Sequence, residues 1–243
     1  SLVERCDFIG NSGYGAGAAL IAGGPIELLA CRFLNNHGLY NGGAIATAYD
    51  WESAYTYYQL YGTEPPPTAV AMENCLLLNN RAHVNYADLH LAEGTEASLC
   101  HLTVSGGTSR DGGSIFLSGN SEIVNSIIGG GVTLSGDATL AASHNCHQAD
   151  WSAYGTGNIT SDPMLTADGC LTDASPCIDA GTSTGAPNID IDGLPRPAGS
   201  APDIGCQEFI DSDGDGIPDS VELGAGLDKD DASDAALDKD GDG

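Results

Sequence analysis

Near the end of the chain, acidic residues recur with the spacing of a cation-binding loop. The segment from Asp211 to Glu222 reads D-S-D-G-D-G-I-P-D-S-V-E and fits the pattern D-x-D-x-D-G-x5-E. Alternate carboxylates can converge on one point because the glycine after the third aspartate permits a sharp turn. The predicted oxygen ligands of a Ca²⁺ ion are Asp211, Asp213, Asp215, the backbone carbonyl of Ile217, Asp219 and Glu222. The competing interpretation is a solvated acidic linker.

The same acidic tail, residues 211–243, contains the beginning of a second loop. Its candidate ligands are Asp238, Asp240 and Asp242, and the residues between the loops offer Asp228, Asp230 or Asp234 as a further ligand to either ion. The run D-S-D-G-D-G-I-P-D followed by L-D-K-D-G-D-G resembles the thrombospondin type 3 repeats of bacterial exoproteins. Dockerin modules share the loop, but their paired loop–helix layout is not complete here. The resemblance implies bound Ca²⁺ and an extracellular or cell-surface location. Because the second loop stops before its closing ligands, we also expect a longer polypeptide.

Groups that could catalyse a reaction are sparse before the tail. Residues 1–210 contain no lysine, so a lyase would have few side chains with which to abstract a proton. A glycoside hydrolase would need carboxylates that converge on one face. The loose cluster is Asp88, Glu93, Glu96 and Asp111. If the chain is an enzyme, Asp88 and Asp111 on adjacent coils are the candidate catalytic pair, but we favour a non-catalytic protein.

Aromatic residues are concentrated in an insertion at residues 46–69. They are Tyr49, Trp51, Tyr55, Tyr57, Tyr58 and Tyr61, followed by three consecutive prolines. Proline cannot donate to a strand ladder, so this segment is expected to loop away from regular structure. Its aromatic side chains then form a contact surface for a sugar or a protein, or they fold back over the core.

The elements that must carry these groups are predicted by an internal repeat. Cysteines recur at steps of 25, 44 and 25 residues, at Cys6, Cys31, Cys75 and Cys100. Around them lie apolar runs of three to five residues that end in Gly or Asn, which predicts short strands with tight corners. We expect the cysteines to form one inward row of buried thiols. The repeated Asn11, Asn35 and Asn79 should stack as a structural ladder.

A repeat of this period indicates one supersecondary unit stacked many times. A leucine-rich repeat would need a spaced leucine framework in every unit, which is not seen. The pattern N-C-x-[FL]-x-x-N…G-G-A-I resembles the β-helix repeats of bacterial surface proteins, including polymorphic outer-membrane-type repeats. The predicted fold is therefore all-β, a right-handed parallel β-helix over residues 1–160.

Residues 161–210 are rich in Pro, Gly and Asp and predict irregular chain. The series D-P-M-L, S-P-C-I-D-A-G, D-I-D-G-L-P-R-P and P-D-I-G-C-Q-E-F resembles the closing segment of many secreted bacterial β-helix proteins. We therefore expect a cap folded over the last coil, with Arg196 paired to Asp190, Asp192 or Asp203. A disulfide among the four remaining cysteines is plausible in an oxidising compartment, but the pairing is open: Cys146, Cys170, Cys177 and Cys206.

Composition excludes several function classes. The formal net charge of −27 disfavours nucleic acid and anionic lipid as partners and makes divalent cations the natural counter-charge. No apolar run approaches the length of a membrane span. The sequence predicts a non-catalytic, calcium-stabilised extracellular protein with a structural or adhesive role, which self-associates into filaments or layers or contacts a surface glycan or protein. The alternative is a polysaccharide-active enzyme or a glycan-binding module on a β-helix.

Overall fold

The structure, a computed structural model, describes residues 1–21, 24–47, 68–92 and 94–234. These residues form 21 short strands and one helix. The strands are β1 (Leu2–Glu4), β2 (Asp7–Ile9), β3 (Ser12–Gly13), β4 (Ala19–Ile21), β5 (Pro25–Leu29), β6 (Arg32–Leu34), β7 (His37–Gly38), β8 (Ile45–Thr47), β9 (Ala69–Glu73), β10 (Leu76–Leu78), β11 (Arg81–Ala82), β12 (Leu89–His90), β13 (Glu96–Cys100), β14 (Thr103–Ser105), β15 (Thr108–Ser109), β16 (Gly113–Leu117), β17 (Ser121–Val124), β18 (Ile127–Ile128), β19 (Gly131–Leu134), β20 (Leu140–Ser143) and β21 (Cys146–His147). The helix α1 spans Asp219–Ala225.

All neighbouring strands pair in parallel, in four sheets. Sheet 1 has the order β1-β5-β9-β13-β17-β20, sheet 2 β2-β6-β10-β14-β18-β21, sheet 3 β15-β11-β7-β3 and sheet 4 β19-β16-β12-β8-β4. Neighbours within a sheet therefore come from successive passes of the chain, and each of the early passes visits the four sheets in turn. The prediction of an all-β chain with parallel strands is confirmed.

The core lies between the sheets and is built from strands too short to form one alone. Leu28 of sheet 1, Phe33 of sheet 2 and Ile45 of sheet 4 belong to one buried cluster. Side chains at matching positions of successive passes lie on each other, as shown by Phe8 and Phe33, whose rings stack with centroids 4.7 Å apart. Alternation explains the burial, since residues point in turn to the core and to the surface along a strand such as β13.

Left-handed backbone marks the same corner in every pass between sheet 1 and sheet 2. The φ angles there lie between 49° and 54°, at Arg5, Ala30, Asn74, His101, Asn125 and His144. A second left-handed corner, after each of the first four strands of sheet 2, is occupied by Gly10, Asn35, Asn79 and Gly106. Asn and Gly tolerate this conformation, whereas in Arg, Ala and His it costs a conformational free energy of about 1 kcal/mol or more. The conformation at the first corner is therefore imposed by the stacking rather than by residue type.

The buried asparagine ladder lies one residue after the predicted one in two of the three passes. The backbone N–H of Asn11 donates to Oδ1 of Asn36, and that of Asn36 donates to Oδ1 of Asn80, both at 3.0 Å. Asn36 and Asn80 are fully buried. Asn35 and Asn79 are instead the exposed left-handed corner residues. In an Asn-Asn pair, the corner turns the first side chain out and the second one in.

The cysteine row is shorter than predicted. Cys31 and Cys75 occupy matching positions, because the residues that follow them, Arg32 and Leu76, are paired. Cys100 pairs with Glu73 instead, one residue before the corner, and is only half-buried. The position that follows Cys75 in the row belongs to Leu102, since Thr103 pairs with Leu76. The corner sets the register, so a cysteine two residues early faces outward.

Residues 161–210 lie along the outer face of sheet 2, which corrects the expectation of a cap over the last coil. Leu171 and Ile204 pack against Ile127, and Ile191 and Cys206 pack in a cluster with Leu76. Nonpolar side chains on that face explain the placement, because they would otherwise be exposed to water.

Residues 151–159, which precede the covering segment, form the next pass after β20 and β21. The backbone N–H of Ala142 donates to the carbonyl of Tyr154, and Ile159 forms a bridge with Cys146. Trp151 is buried there and stacks on His147, with ring centroids 4.2 Å apart.

The ion pairs of residues 161–210 differ from those predicted. Arg196 pairs with Glu208, with Nε and Oε1 3.0 Å apart and neither side chain exposed. Asp192 is bound by Arg32 of sheet 2, whose Nη2 lies 2.5 Å from Oδ1. The predicted partners of Arg196 are therefore wrong, because Glu208, near the end of the same segment, forms the ion pair with its guanidinium group. Burial lowers the pKa of Arg196 and raises that of Glu208, so each group depends on the other to remain charged.

Within the described ranges, no helix is both long enough and apolar enough to cross a membrane.

The asparagine ladder leads to a stability prediction. Replacing Asn36 by Ala removes an acceptor for Asn11 and donors to the carbonyl of Phe8 and to Asn80. We expect Asn36→Ala to lower the free energy of unfolding by about 2–4 kcal/mol, because buried partners lose their hydrogen bonds. Asn35→Gly is the matched control and should change it by less than about 0.5 kcal/mol, since glycine adopts the same φ. Urea unfolding measures both, and equal effects would contradict the ladder.

Candidate functional site

The candidate cation site is built on the loop before helix α1. Its turn is held by Asp211, whose Oδ1 accepts from the N–H of Gly214 at 2.7 Å and whose Oδ2 accepts from Gly216 at 3.0 Å. Gly214 and Gly216 have φ angles of 78° and 96°, a region that side chains strongly disfavour. The local sequence therefore folds the loop as predicted, with glycine at both left-handed positions.

Two groups of carboxylates meet at this loop and share Asp215. Asp211, Asp213 and Asp215 each offer an oxygen atom, and these atoms all lie within 4.8 Å of one another. A second group with the same spacing consists of Asp215, Glu222 and Asp234. The structure thus brings together four of the predicted acidic ligands of the first loop, and it adds Asp234 from beyond helix α1.

Glu222 has the least satisfied environment of these side chains. It is fully buried, and neither of its carboxylate oxygens has a hydrogen-bond partner. Burial is the main cause that raises its pKa to about 7, and the negative charges of Asp213, Asp215 and Asp234 add to the effect. A buried carboxylate without a partner is costly, and a cation in this space would lower that cost.

The other buried carboxylate oxygens without a partner belong to the same two groups. Oδ2 of Asp213, Oδ2 of Asp215 and Oδ1 of Asp234 are buried and accept no hydrogen bond. Their remaining oxygens are used to fold the segment: Asp215 accepts from the N–H of Ile217, and Asp234 from the N–H of Asp228. One oxygen of each carboxylate therefore shapes the backbone while the other remains free for a ligand.

Asp219 has a different role from the predicted one. Its two oxygens accept from the N–H and the hydroxyl of Ser212, both at 2.7 Å, so it braces the loop and belongs to neither carboxylate group. Ile217 is buried, and its N–H donates to Asp215. Asp234 was one of three acidic candidates between the loops, and no local signal distinguished it from Asp228 and Asp230. Asp238, Asp240 and Asp242 lie outside the described residues.

The candidate catalytic pair is not assembled. The residue beside Asp88 on the next pass is Ser114, because Leu89 pairs with Ile115. Asp88 is fully buried, whereas Asp111 lies on an exposed turn. The predicted alignment of these two residues is therefore wrong, since the turn at Asp111 precedes the strand that pairs with β12.

Asp88 continues the asparagine ladder. Its Oδ1 accepts from Nδ2 of Asn80 at 3.0 Å, and its Oδ2 accepts from the hydroxyl of Ser114 at 2.5 Å. The place that an asparagine would occupy on the next pass belongs to Gly107, where a Cβ atom would lie 2.3 Å from Oδ2 of Asp88. Burial raises the pKa of Asp88 to about 7 and outweighs the two hydrogen bonds, which act in the opposite direction. This environment suits a neutral structural group better than a catalytic one.

Two surface features away from Asp88 are not predicted by the sequence pattern. Tyr14 and Tyr40, from neighbouring passes, form an exposed pair with ring centroids 4.8 Å apart. An open groove of about 740 Å³ on the outer face of sheet 1 is lined mainly by small residues, with Glu27, Glu96 and Glu122 among them. Neither feature shows a catalytic constellation. The predicted aromatic surface, Tyr49, Trp51, Tyr55, Tyr57, Tyr58 and Tyr61, lies outside the described residues.

No protein-family model, no curated protein and no solved structure matches this chain. The resemblances to β-helix repeats and to thrombospondin type 3 repeats therefore remain predictions.

The environment of Asp88 predicts a specific pH dependence. In the unfolded chain an aspartate ionises near pH 4, whereas in the folded protein Asp88 ionises near pH 7. The folded state therefore holds the extra proton between these values, and its stability falls as the pH rises through that window. Asp88→Asn lacks this contribution but keeps an oxygen for Asn80 and an amide for Ser114. It should stabilise the protein by a few kcal/mol more at pH 8 than at pH 4.5, relative to wild type.

Urea unfolding of both proteins at the two pH values measures this difference. Other titrating groups cancel because they are common to the two chains. The same effect of Asp88→Asn at pH 4.5 and pH 8 would show that Asp88 is ionised in the folded protein at both.

Proposed function

We propose that this chain is a non-catalytic structural or adhesive protein of the cell exterior, stabilised by Ca²⁺ and built on a right-handed parallel β-helix. The observation that supports Ca²⁺ binding is the environment of Glu222. Its two buried oxygens have no hydrogen-bond partner, and the side chain lies beside Asp215 and Asp234. The alternative of a glycan-active enzyme loses its main support, because Asp88 is buried and bonded within the core.

Calcium is the cation that this donor set favours. The available ligands are carboxylate oxygens, which hard cations prefer over the nitrogen and sulfur ligands of transition metals. Ca²⁺ accepts six to eight oxygens in an irregular shell, whereas Mg²⁺ requires a near-ideal octahedron. A set that combines a tight turn, a helix residue and Asp234 from a separate turn suits the less demanding ion.

The parallel β-helix is supported by the strand order of the four sheets. Each early pass contributes a strand to every sheet, and the pairing of Ile26 with Val70 continues the stack across the insertion. A core between such sheets grows with each pass, which makes a rod. The proposed role is to display surface groups on this rod, in contact with a surface glycan, a protein or another copy of the chain.

A position outside the cell is supported by charge and by the loop pattern. The net charge of −27 requires counter-ions, and Ca²⁺ is abundant in extracellular fluids. Bound Ca²⁺ would join the turn at Asp211, helix α1 and the segment that ends at Asp234, and so stiffen the tail.

Calcium binding is tested on the full chain by titration calorimetry. We expect wild type to bind Ca²⁺ with a dissociation constant of about 10⁻⁶–10⁻³ M, and more tightly than Mg²⁺. Glu222→Gln and Asp234→Asn should each weaken binding at least about tenfold, because each removes a charged oxygen ligand. The matched control is Asp230→Asn, which changes a nearby exposed carboxylate that pairs with Lys229.

The control should retain the wild-type constant within about twofold, since Asp230 belongs to neither carboxylate group. Wild-type protein that releases no Ca²⁺-dependent heat, or equal losses in all three variants, would contradict the site.

The non-catalytic role has its own test. Incubation of the full chain with acidic and neutral polysaccharides should yield no unsaturated or reducing-end products. Turnover that Asp111→Asn abolishes would contradict the proposal, because Asp111 is exposed and its substitution leaves the core intact.

A further inference from the structure

Two buried cysteines lie where the last strand of sheet 2 meets residues 161–210. Cys146 belongs to β21 and is 2% exposed, and Cys177 belongs to the irregular segment and is fully buried. Both are members of one cluster that also contains Ile127, Leu171 and Ile204. Because this cluster is the junction between the strands and the covering segment, a link between the two thiols would cross that junction.

Both thiols are free in the structure, and hydrogen bonds to the surrounding chain position them. The Cys146 thiol donates to the carbonyl of Ser161 at 3.2 Å. The hydroxyl of Ser175 accepts from the N–H of Cys177 at 3.2 Å and donates to the carbonyl of Pro163 at 2.6 Å. The Cys146 and Cys177 thiols are close enough that each shifts the pKa of the other, lowering that of Cys146 and raising that of Cys177. The chain before Pro163 and the chain around Cys177 are thus drawn together beside β21.

We propose that Cys146 and Cys177 form a disulfide bond that joins the last strand of sheet 2 to the segment that covers it. The co-reactant is a small-molecule disulfide. A thiolate of one cysteine attacks a sulfur of that disulfide and releases one small thiol, and the second cysteine then displaces the other. One disulfide is consumed, one is formed, and the two protons of the protein thiols pass to the two released thiols.

The exchange requires both thiols to be accessible to the small-molecule disulfide. Burial excludes external reagents from the folded junction, so the exchange occurs before residues 161–210 pack or when they open.

Cys31 and Cys75 provide an internal comparison. They are also buried, and each thiol shifts the pKa of the other. They occupy matching positions on parallel strands, where neighbouring backbones are about 4.8 Å apart and side chains point the same way. A disulfide needs Cβ atoms about 3.8 Å apart and a dihedral angle near 90°, which parallel side chains do not provide. Cys146 and Cys177 come from a strand and an irregular segment and are free of this constraint.

The bond would stabilise the cover of sheet 2. It closes a loop of roughly 30 residues, which restricts the unfolded chain. The inference does not depend on cation binding, because neither cysteine lies near the carboxylate groups at residues 211–234.

The test is disulfide mapping of the full chain after refolding with reduced and oxidised glutathione. Free thiols are alkylated, the protein is digested with pepsin at low pH to prevent exchange, and the peptides are identified by mass spectrometry. We expect a peptide pair that joins Cys146 to Cys177, with Cys31 and Cys75 alkylated. Alkylation of Cys146 and Cys177, or a bond from either to Cys170 or Cys206, would overturn the proposal.

Thermal unfolding with and without dithiothreitol gives a second readout. Reduction should lower the midpoint of oxidised wild type by about 5–10 °C. Cys177→Ser should lose this response, and the control Cys31→Ser should retain it. A response that persists in Cys177→Ser would also overturn the proposal. The mapping on wild type remains decisive if the variant fails to fold.

Discussion

In-register pairing between successive passes is the constraint on which the rest of this protein depends. Each pass donates backbone hydrogen bonds to its neighbour at matching positions, and the left-handed corner between sheets 1 and 2 recurs at the same place. The corner forces Ala30 and His101 into a conformation that their residue types disfavour. A shift of one residue would turn every core side chain to the surface, so the stacking energy outweighs the local strain.

The same stacking makes the interior polar groups depend on each other. Asn11, Asn36 and Asn80 form a chain of hydrogen bonds that Asp88 continues where the next pass has Gly107. A buried carboxylate in this position is tolerated because its two neighbours donate to it and because burial favours the neutral form. A buried carboxyl group with a strongly raised pKa is therefore part of the scaffold.

The candidate cation site lies outside the stack of strands. Strand pairing between β5 and β9 continues across the predicted insertion at residues 46–69 without a change of register. Asp213, Asp215 and Asp234 each shape the tail with one oxygen and leave the other without a hydrogen-bond partner. Their negative charges act on the buried carboxyl group of Glu222, and this repulsion costs free energy. A cation at this point would lower that cost, since it replaces repulsion between carboxylates by attraction to one centre.

The sequence alone determined the features that depend on local spacing. These are the parallel all-β character, from the repeat of short apolar runs, and the turn of the loop at Asp211, from alternating aspartates and glycines. Only the tertiary structure decided which residues face each other. Asn36 rather than Asn35 points inward, and Ser114 lies beside Asp88. Asp234, rather than its acidic neighbours, joins the carboxylate group, and residues 161–210 lie along sheet 2. The physical reason is that these choices depend on register and on contacts between residues distant in the chain, which local patterns do not encode.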